Sequence, residues 1–235
     1  MVSTIRKINK AGIICAMELE AEGILSAMTH ISEKTVSGII FREGTLGKTR
    51  AVVAVCGIGK VFAAICAEAM ILNYSPDLII NTGVAGGLEP GLKIGDTVLA
   101  TSLVQHDMDT SPLGDPAGMI SGINLVYLPA HEGLSDFIAA RAQESGITLH
   151  RGIIASGDRF VADKTEKIRI REQFGASACE MEGASVAHVC YVNNVPFAVL
   201  RSISDGGDEG AATDYAAFAK SAAEKSAKII KGAFS

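Results

Sequence analysis

The chain has 235 residues, enough for one large domain with a sizeable core. It is 48% hydrophobic and 20% charged, an ordinary globular balance tilted to the apolar side. Twenty-one Lys and Arg against 26 Asp and Glu leave a net charge of −5, with the basic residues scattered, which argues against both a nucleic-acid footprint and a membrane-surface patch.

The N-terminal stretch "MVSTIRKINKAGIICAM" has an apolar run too short for a secretory signal or an anchor before Glu18. Residues 1–10 read as a short polar extension and 11–235 as one domain. "AGIICAM" (11–17) predicts a buried strand and "LEAEGILSAMTHI" (19–31) a helix. "GIIFREGTLGKTRAVVAVCG" (38–57) predicts two strands turning at Leu46-Gly47-Lys48. "VFAAICAEAMILNY" (61–74) predicts a helix stopped before Pro76, and "DLIINTGVAGG" (77–87) a strand ending in glycines. "DTVLATSLVQHD" (96–107) is a further strand, and residues 108–130 are irregular and rich in Gly and Pro. A helix over 132–146, a strand over 150–158 and a helix over 164–175 follow. "SACEMEGASVAHVC" (177–190) reads as a buried helix, with Cys179, Gly183, Val186, Ala187 and Cys190 on one stripe. "PFAVLRSISD" (196–205) is a strand, and the tail from Tyr215 is a helix. Apolar strands alternating with helices predict an α/β fold of three layers, α/β/α, around a central mixed, largely parallel twisted sheet. Cys15, Cys56, Cys66, Cys179 and Cys190 lie in apolar stretches with no C-x-x-C spacing, as reduced core thiols of a cytoplasmic protein would.

Open α/β sheets bind ligands beyond the carboxyl ends of their strands. Polar groups collect at those positions here. Glu18 and Glu20 follow the first strand, and Val84-Ala85-Gly86-Gly87 ends another. Asp158, Arg159, Phe160 and Val161 follow "GIIASG", and Asp205 closes "LRSISD". Glu180 and Glu182 open the helix predicted over 177–190. Together these form a candidate pocket for an aromatic ring, lined by carboxylates and free backbone N–H groups. Each also has a plainer role: a Glu after a strand serves as a solvated helix-start charge, and Phe160 serves as core. Arg201 in a buried strand demands a partner, an internal carboxylate or a ligand. "QHDMD" (105–109) matches no standard zinc or calcium loop, so no metal is assigned. "VCGIGKVFAA" is neither dinucleotide nor nucleotide-phosphate loop. It reads as a tight turn with Lys60 near a helix start.

In this order, "GIICAMELEAE", "GIGKVFAA", "PDLIINTGVAGGL", "GDTVLATSLVQHDMD", "GIIASGDRFV", "CEMEGASVAHVC" and "VPFAVLRSISD" resemble the 5′-methylthioadenosine/S-adenosylhomocysteine nucleosidases of the nucleoside phosphorylase-like superfamily. The resemblance runs from about residue 11 to about 232. It implies Glu20 as the water-activating base, Glu182 as the carboxylate on the ribose hydroxyls and Asp205 as the acid at adenine N7. Ser204 and Arg201 are implied to orient that acid, and Met181 to lie against the ribose. It implies Phe160 stacking on the purine, Val161 meeting it through backbone, and Ala85 and Gly86 forming the turn beneath. Met17 and Ile58 are implied wall residues, and Tyr215 the aromatic near the 5′ group. The family needs no cofactor, works as a homodimer, and closes the 5′-thio pocket with a partner loop. Leu113 falls in that loop where an aromatic is common, a departure that bears on the 5′ substituent.

Breaking a ribosyl N-glycosidic bond builds positive charge on the sugar and negative charge on the purine. An acid at the purine and a base on a water at the opposite face meet that demand. A phosphorylase of the same superfamily is the nearest alternative, but it needs cationic or helix N-terminal donors at the ribose, where "AMELE" places acid. A nucleosidase for 6-amino-6-deoxyfutalosine or 5′-deoxyadenosine would carry the same three acids. A non-catalytic purine-binding or storage protein would be expected to have lost one of them.

Overall fold

In the computed structural model, residues 8–234 are described; residues 1–7, most of the expected polar extension, lie outside the described residues. The elements in chain order are β1 (Lys10–Cys15), α1 (Glu18–Leu25), β2 (Met28–Val36), β3 (Ile39–Leu46), β4 (Thr49–Val55), α2 (Lys60–Tyr74), β5 (Leu78–Gly87) and β6 (Thr97–Gln105). They continue with β7 (Leu128–Pro129), α3 (Glu132–Glu144), β8 (His150–Ser156), α4 (Lys164–Phe174), β9 (Ala176–Glu180), α5 (Gly183–Val192), β10 (Phe197–Asp205) and α6 (Ala211–Phe234).

All ten strands join one mixed sheet. Parallel pairing holds between β4, β1, β5 and β10 at its centre, and between β6, β8 and β9. Antiparallel pairing joins β2, β3 and β4 at one margin. Because β10 pairs with both β5 and β6 while β9 pairs with both β5 and β8, the ladders β5–β9–β8–β6–β10 close on themselves. Alternate residues of the central strands face opposite layers, as the two-residue period of a strand requires. Ile14, Val52, Ala54 and Ile79 pack with α2 and α5 residues such as Ala67, Met70 and Val186. Ile13, Val53 and Ile80 pack with α1, α3 and α6 residues such as Ile24, Ile138 and Ile230. The expected three-layer α/β/α arrangement is therefore present.

Two segments differ from the sequence reading. The helix expected over 19–31 stops at Leu25, and Met28–Val36 forms an edge strand on β3. Its residues are almost all exposed, so neither the apolar period of a helix nor that of a half-buried strand marks it. The stretch expected as helix over 177–190 begins as β9. Ala178, Cys179 and Glu180 pair with β8, Ala178 and Cys179 also pair with β5, and the helix starts only at Gly183. Small residues pack equally well in either conformation, and pairing with two strands decides the outcome here.

Candidate active site

A cavity of about 520 Å³ opens at the carboxyl ends of the strands. Met17 follows β1 and Ile58 follows β4; Ala85 and Gly86 end β5. Phe160 and Val161 follow β8, Met181 and Glu182 follow β9, and Ser204 and Asp205 end β10. Glu20 reaches in from α1 and Tyr215 from α6. Twelve of the fourteen residues expected from the sequence thus meet in one cavity. The two that do not line it are Arg201 and Leu113. Leu113 sits in a short 3-10 turn, Ser111–Leu113, and is 84% exposed.

Glu20 is buried at the third position of α1. It accepts N–H bonds from Ala16 at 2.9 Å, Met17 at 3.0 Å and Val84 at 3.0 Å. The Met17 bond satisfies a helix N-terminal donor, so the local helix start and the site use one carboxylate. Burial raises its pKa; the Arg201 charge and the three N–H donors oppose that without cancelling it. Gly83 makes the fit possible, since a Cβ there would overlap the Glu20 carboxyl group.

Asp205 accepts the Ser204 hydroxyl at 2.8 Å and the Gly207 N–H at 2.9 Å. Burial raises its pKa despite those bonds, and the nearby charges of Asp214 and Asp208 add to the rise. Glu182 stands at the N-cap position of α5 without capping it through its side chain, and its carboxylate instead accepts the Gly59 N–H at 2.7 Å. Burial, with the charge of Glu180 next, lifts its pKa to about 7, while Arg201 and the Gly59 N–H pull the other way. Such upward shifts follow from removing a carboxylate from water.

Arg201 is fully buried in β10 and is bonded not to Asp205 but to Glu180 and Asn81. The resemblance implied that it orients the acid; the structure instead turns it to Glu180 and toward Glu182, whose Oε2 is 4.0 Å away. Burial weakens its charge and the carboxylates Glu180, Glu182 and Glu20 more than restore it. Glu180, expected as a helix-start charge, does accept the N–H groups of Glu182 at 3.1 Å and Gly183 at 2.7 Å. It also accepts the Ser156 hydroxyl and the Arg201 guanidinium. The sequence reading left the Arg201 partner open between an internal carboxylate and a ligand; it is internal. Asn81 and Ser156 were missed because neutral residues inside apolar strands give no signal of their own. At the mouth, the rings of Phe160 and Tyr215 meet edge to face at 5.7 Å, and the Tyr215 hydroxyl lies 3.1 Å from Met17 Sδ.

A sequence model of the phosphorylase superfamily matches residues 10–235, which sets the class. A 5′-methylthioadenosine/S-adenosylhomocysteine nucleosidase of Shewanella oneidensis is 38% identical over 222 residues, 94% of either chain. An aminodeoxyfutalosine nucleosidase of Helicobacter pylori is 40% identical over 225 residues, 95% of this chain and 97% of that one. The crystal structure of the Neisseria meningitidis 5′-methylthioadenosine/S-adenosylhomocysteine nucleosidase with methylthio-immucillin-A superposes with a TM-score of 0.93 at 34% identity, over 96% of this chain and 98% of that one. Within the phosphorylase superfamily, the chain belongs to the 5′-methylthioadenosine/S-adenosylhomocysteine nucleosidase family.

Proposed function

We propose that the protein hydrolyses the N-glycosidic bond of 5′-methylthioadenosine and S-adenosylhomocysteine, releasing adenine and the 5-thio-substituted ribose. The observation that carries this reading is the convergence of Glu20, Glu182 and Asp205, each with a raised pKa, on one cavity. A raised pKa brings a carboxyl group nearer the operating pH, where proton transfer is most efficient. Asp205 holds a proton for the departing purine and is steadied by Ser204. Glu20, fixed by three N–H bonds, takes the proton of the attacking water. Glu182 accepts the ribose hydroxyls, and its charge favours the cationic sugar of the transition state. Phe160, Val161, Ala85 and Gly86 bracket the purine, Met181 lies on the ribose, and Met17, Ile58 and Tyr215 surround the 5′ substituent. No cofactor enters this chemistry.

Water rather than phosphate suits this cavity. Arg201, the buried cation beside Glu182, does not line the cavity and is bonded to Glu180 and Asn81, and the Glu20 and Glu182 carboxylates would repel an anion. A second substrate, the 6-amino-6-deoxyfutalosine class, is favoured by the 40% identical relative that bears that activity in its name. We further propose that residues 11–235 act as one catalytic domain of a cytoplasmic homodimer serving methionine salvage. Exposed Val61, Phe62, Ile65 and Leu72 on α2 and exposed Ile58 at the cavity rim supply an apolar face for a second copy, and Leu113 would come from the partner to the 5′ end. The reading is tested by incubating the protein with 5′-methylthioadenosine, with and without phosphate, and identifying both products. Adenine and free methylthioribose at equal rates are expected; a sugar 1-phosphate refutes hydrolysis.

A further inference from the structure

Outside the cavity, two loops that carry its residues and the turn after β6 meet on a charged cluster. The Lys60 ammonium, at the first position of α2, donates to Asp107 Oδ1 at 2.7 Å and to Gln105 Oε1 at 3.3 Å. The Lys60 backbone N–H donates to Asp158 Oδ1 at 2.7 Å, and the Asp158 N–H donates to Asp107 Oδ2 at 2.9 Å. The Lys60 carbonyl accepts the Ser185 hydroxyl of α5 at 2.6 Å. The pair is largely shielded, with side-chain exposures of 19% for Lys60 and 33% for Asp107. Burial works against the Asp107 charge, and the Lys60 and Asp158 hydrogen bonds outweigh it, holding that carboxyl below its ordinary range.

Two arms of this cluster, Lys60 and Asp158, are one or two residues from a group at the reacting centre, and Asp107 ties those two together. Gly59, next to Lys60, gives its N–H to Glu182, and Ile58 lines the cavity. Gly57 and Gly59 both have positive φ, +95° and +102°, conformations that glycine allows and does not enforce. Asp158 leads directly into Arg159, Phe160 and Val161. It also packs against Gly59 so closely that a Cβ there would come within 3.1 Å of Asp158 Oδ1.

We propose that Lys60, Asp107 and Asp158 form a clasp of positioning residues, which fixes the Gly59 amide on Glu182 and the Phe160 ring over the purine. The proposal rests on the reading of Glu182 as the ribose carboxylate. The groups facing Glu182 are Glu180 of β9, Arg201 of β10, Glu20 of α1 and the Gly59 N–H; the clasp governs only the last of these. Loosening it removes a donor that favours the charged carboxylate, so that carboxylate protonates at higher pH.

The test uses the full chain with 5′-methylthioadenosine and two variants from different loops, Lys60→Met and Asp107→Asn. Both should raise KM about tenfold and shift the acid limb of kcat/KM to higher pH. The double variant should lose no more than the worse single one, since the two residues act as a unit. Unchanged KM and an unchanged acid limb in both variants overturn the clasp, whatever happens to the melting temperature. Glu182→Gln is run alongside. If it keeps wild-type kcat/KM, the ribose assignment fails on its own account.

Discussion

Glu182→Gln should abolish most turnover and yet make the empty protein relatively more stable in alkali. In the fold the Glu182 pKa is about 7, against an ordinary 4.5. The folded state therefore binds more protons than the unfolded one between those values, so wild-type stability falls as pH rises through that window. From pH 5 to pH 8 this one group should cost the wild type about 2–3 kcal/mol. The glutamine variant does not titrate and escapes that loss. Its amide keeps an oxygen for the Gly59 N–H but brings N–H donors toward Arg201, a penalty of about 1–3 kcal/mol that does not depend on pH. Comparing the two proteins at both pH values cancels that penalty, and it cancels the titration of Asp205, whose shift comes from burial, Asp214 and Asp208 rather than from Glu182. Urea denaturation of each at pH 5 and pH 8, without ligand, supplies the four free energies. The difference between variant and wild type should move in favour of the variant by about 2–3 kcal/mol on going to pH 8. An equal difference at both pH values would refute the claim that burial and Glu180 strain the Glu182 charge.

Two further outcomes follow from the same geometry. Arg201→Met leaves Glu180 buried without its cation, which should destabilise the protein by about 3–5 kcal/mol at pH 8 in thermal melts; an unchanged melting temperature would show the pair to be idle. Gly83→Ala drives a methyl group into the Glu20 carboxyl group and away from the Val84 N–H. It should lower kcat by roughly a hundredfold or more, as loss of one positioned proton acceptor does, and a wild-type kcat would refute the assigned place of the base.

Most of the sheet was legible because its central strands are buried on both faces. "DLIINTGVAGG" and "PFAVLRSISD" have no solvent side to interrupt their apolar runs, and β5 and β10 are buried at every position. The edge strand Met28–Val36 carried no such mark, since it buries little on either face. The site was legible wherever a charge stood at the end of an apolar strand, as at Glu20 and Asp205. Glu180 and Glu182 were visible as charges with separate roles, but the pairing of Glu180 with Arg201 was not. Two apart, on either side of Met181, they take different partners: Arg201, distant in sequence, holds Glu180, and the Gly59 N–H meets Glu182. Lys60 and Asp107 stood in motifs that matched nothing, and their connection lies between side chains 47 residues apart.

The closed circuit of β5, β9, β8, β6 and β10 has a consequence for how the protein reaches its working form. The cavity draws on residues from Ala16 to Tyr215, and the circuit closes only when β10, which carries Arg201 and Asp205, has docked between β5 and β6. The first half of the chain supplies Glu20 and the second supplies Glu182 and Asp205, so neither half holds all three acids. Activity regained during refolding should therefore follow the docking of β10, the strand that carries Asp205.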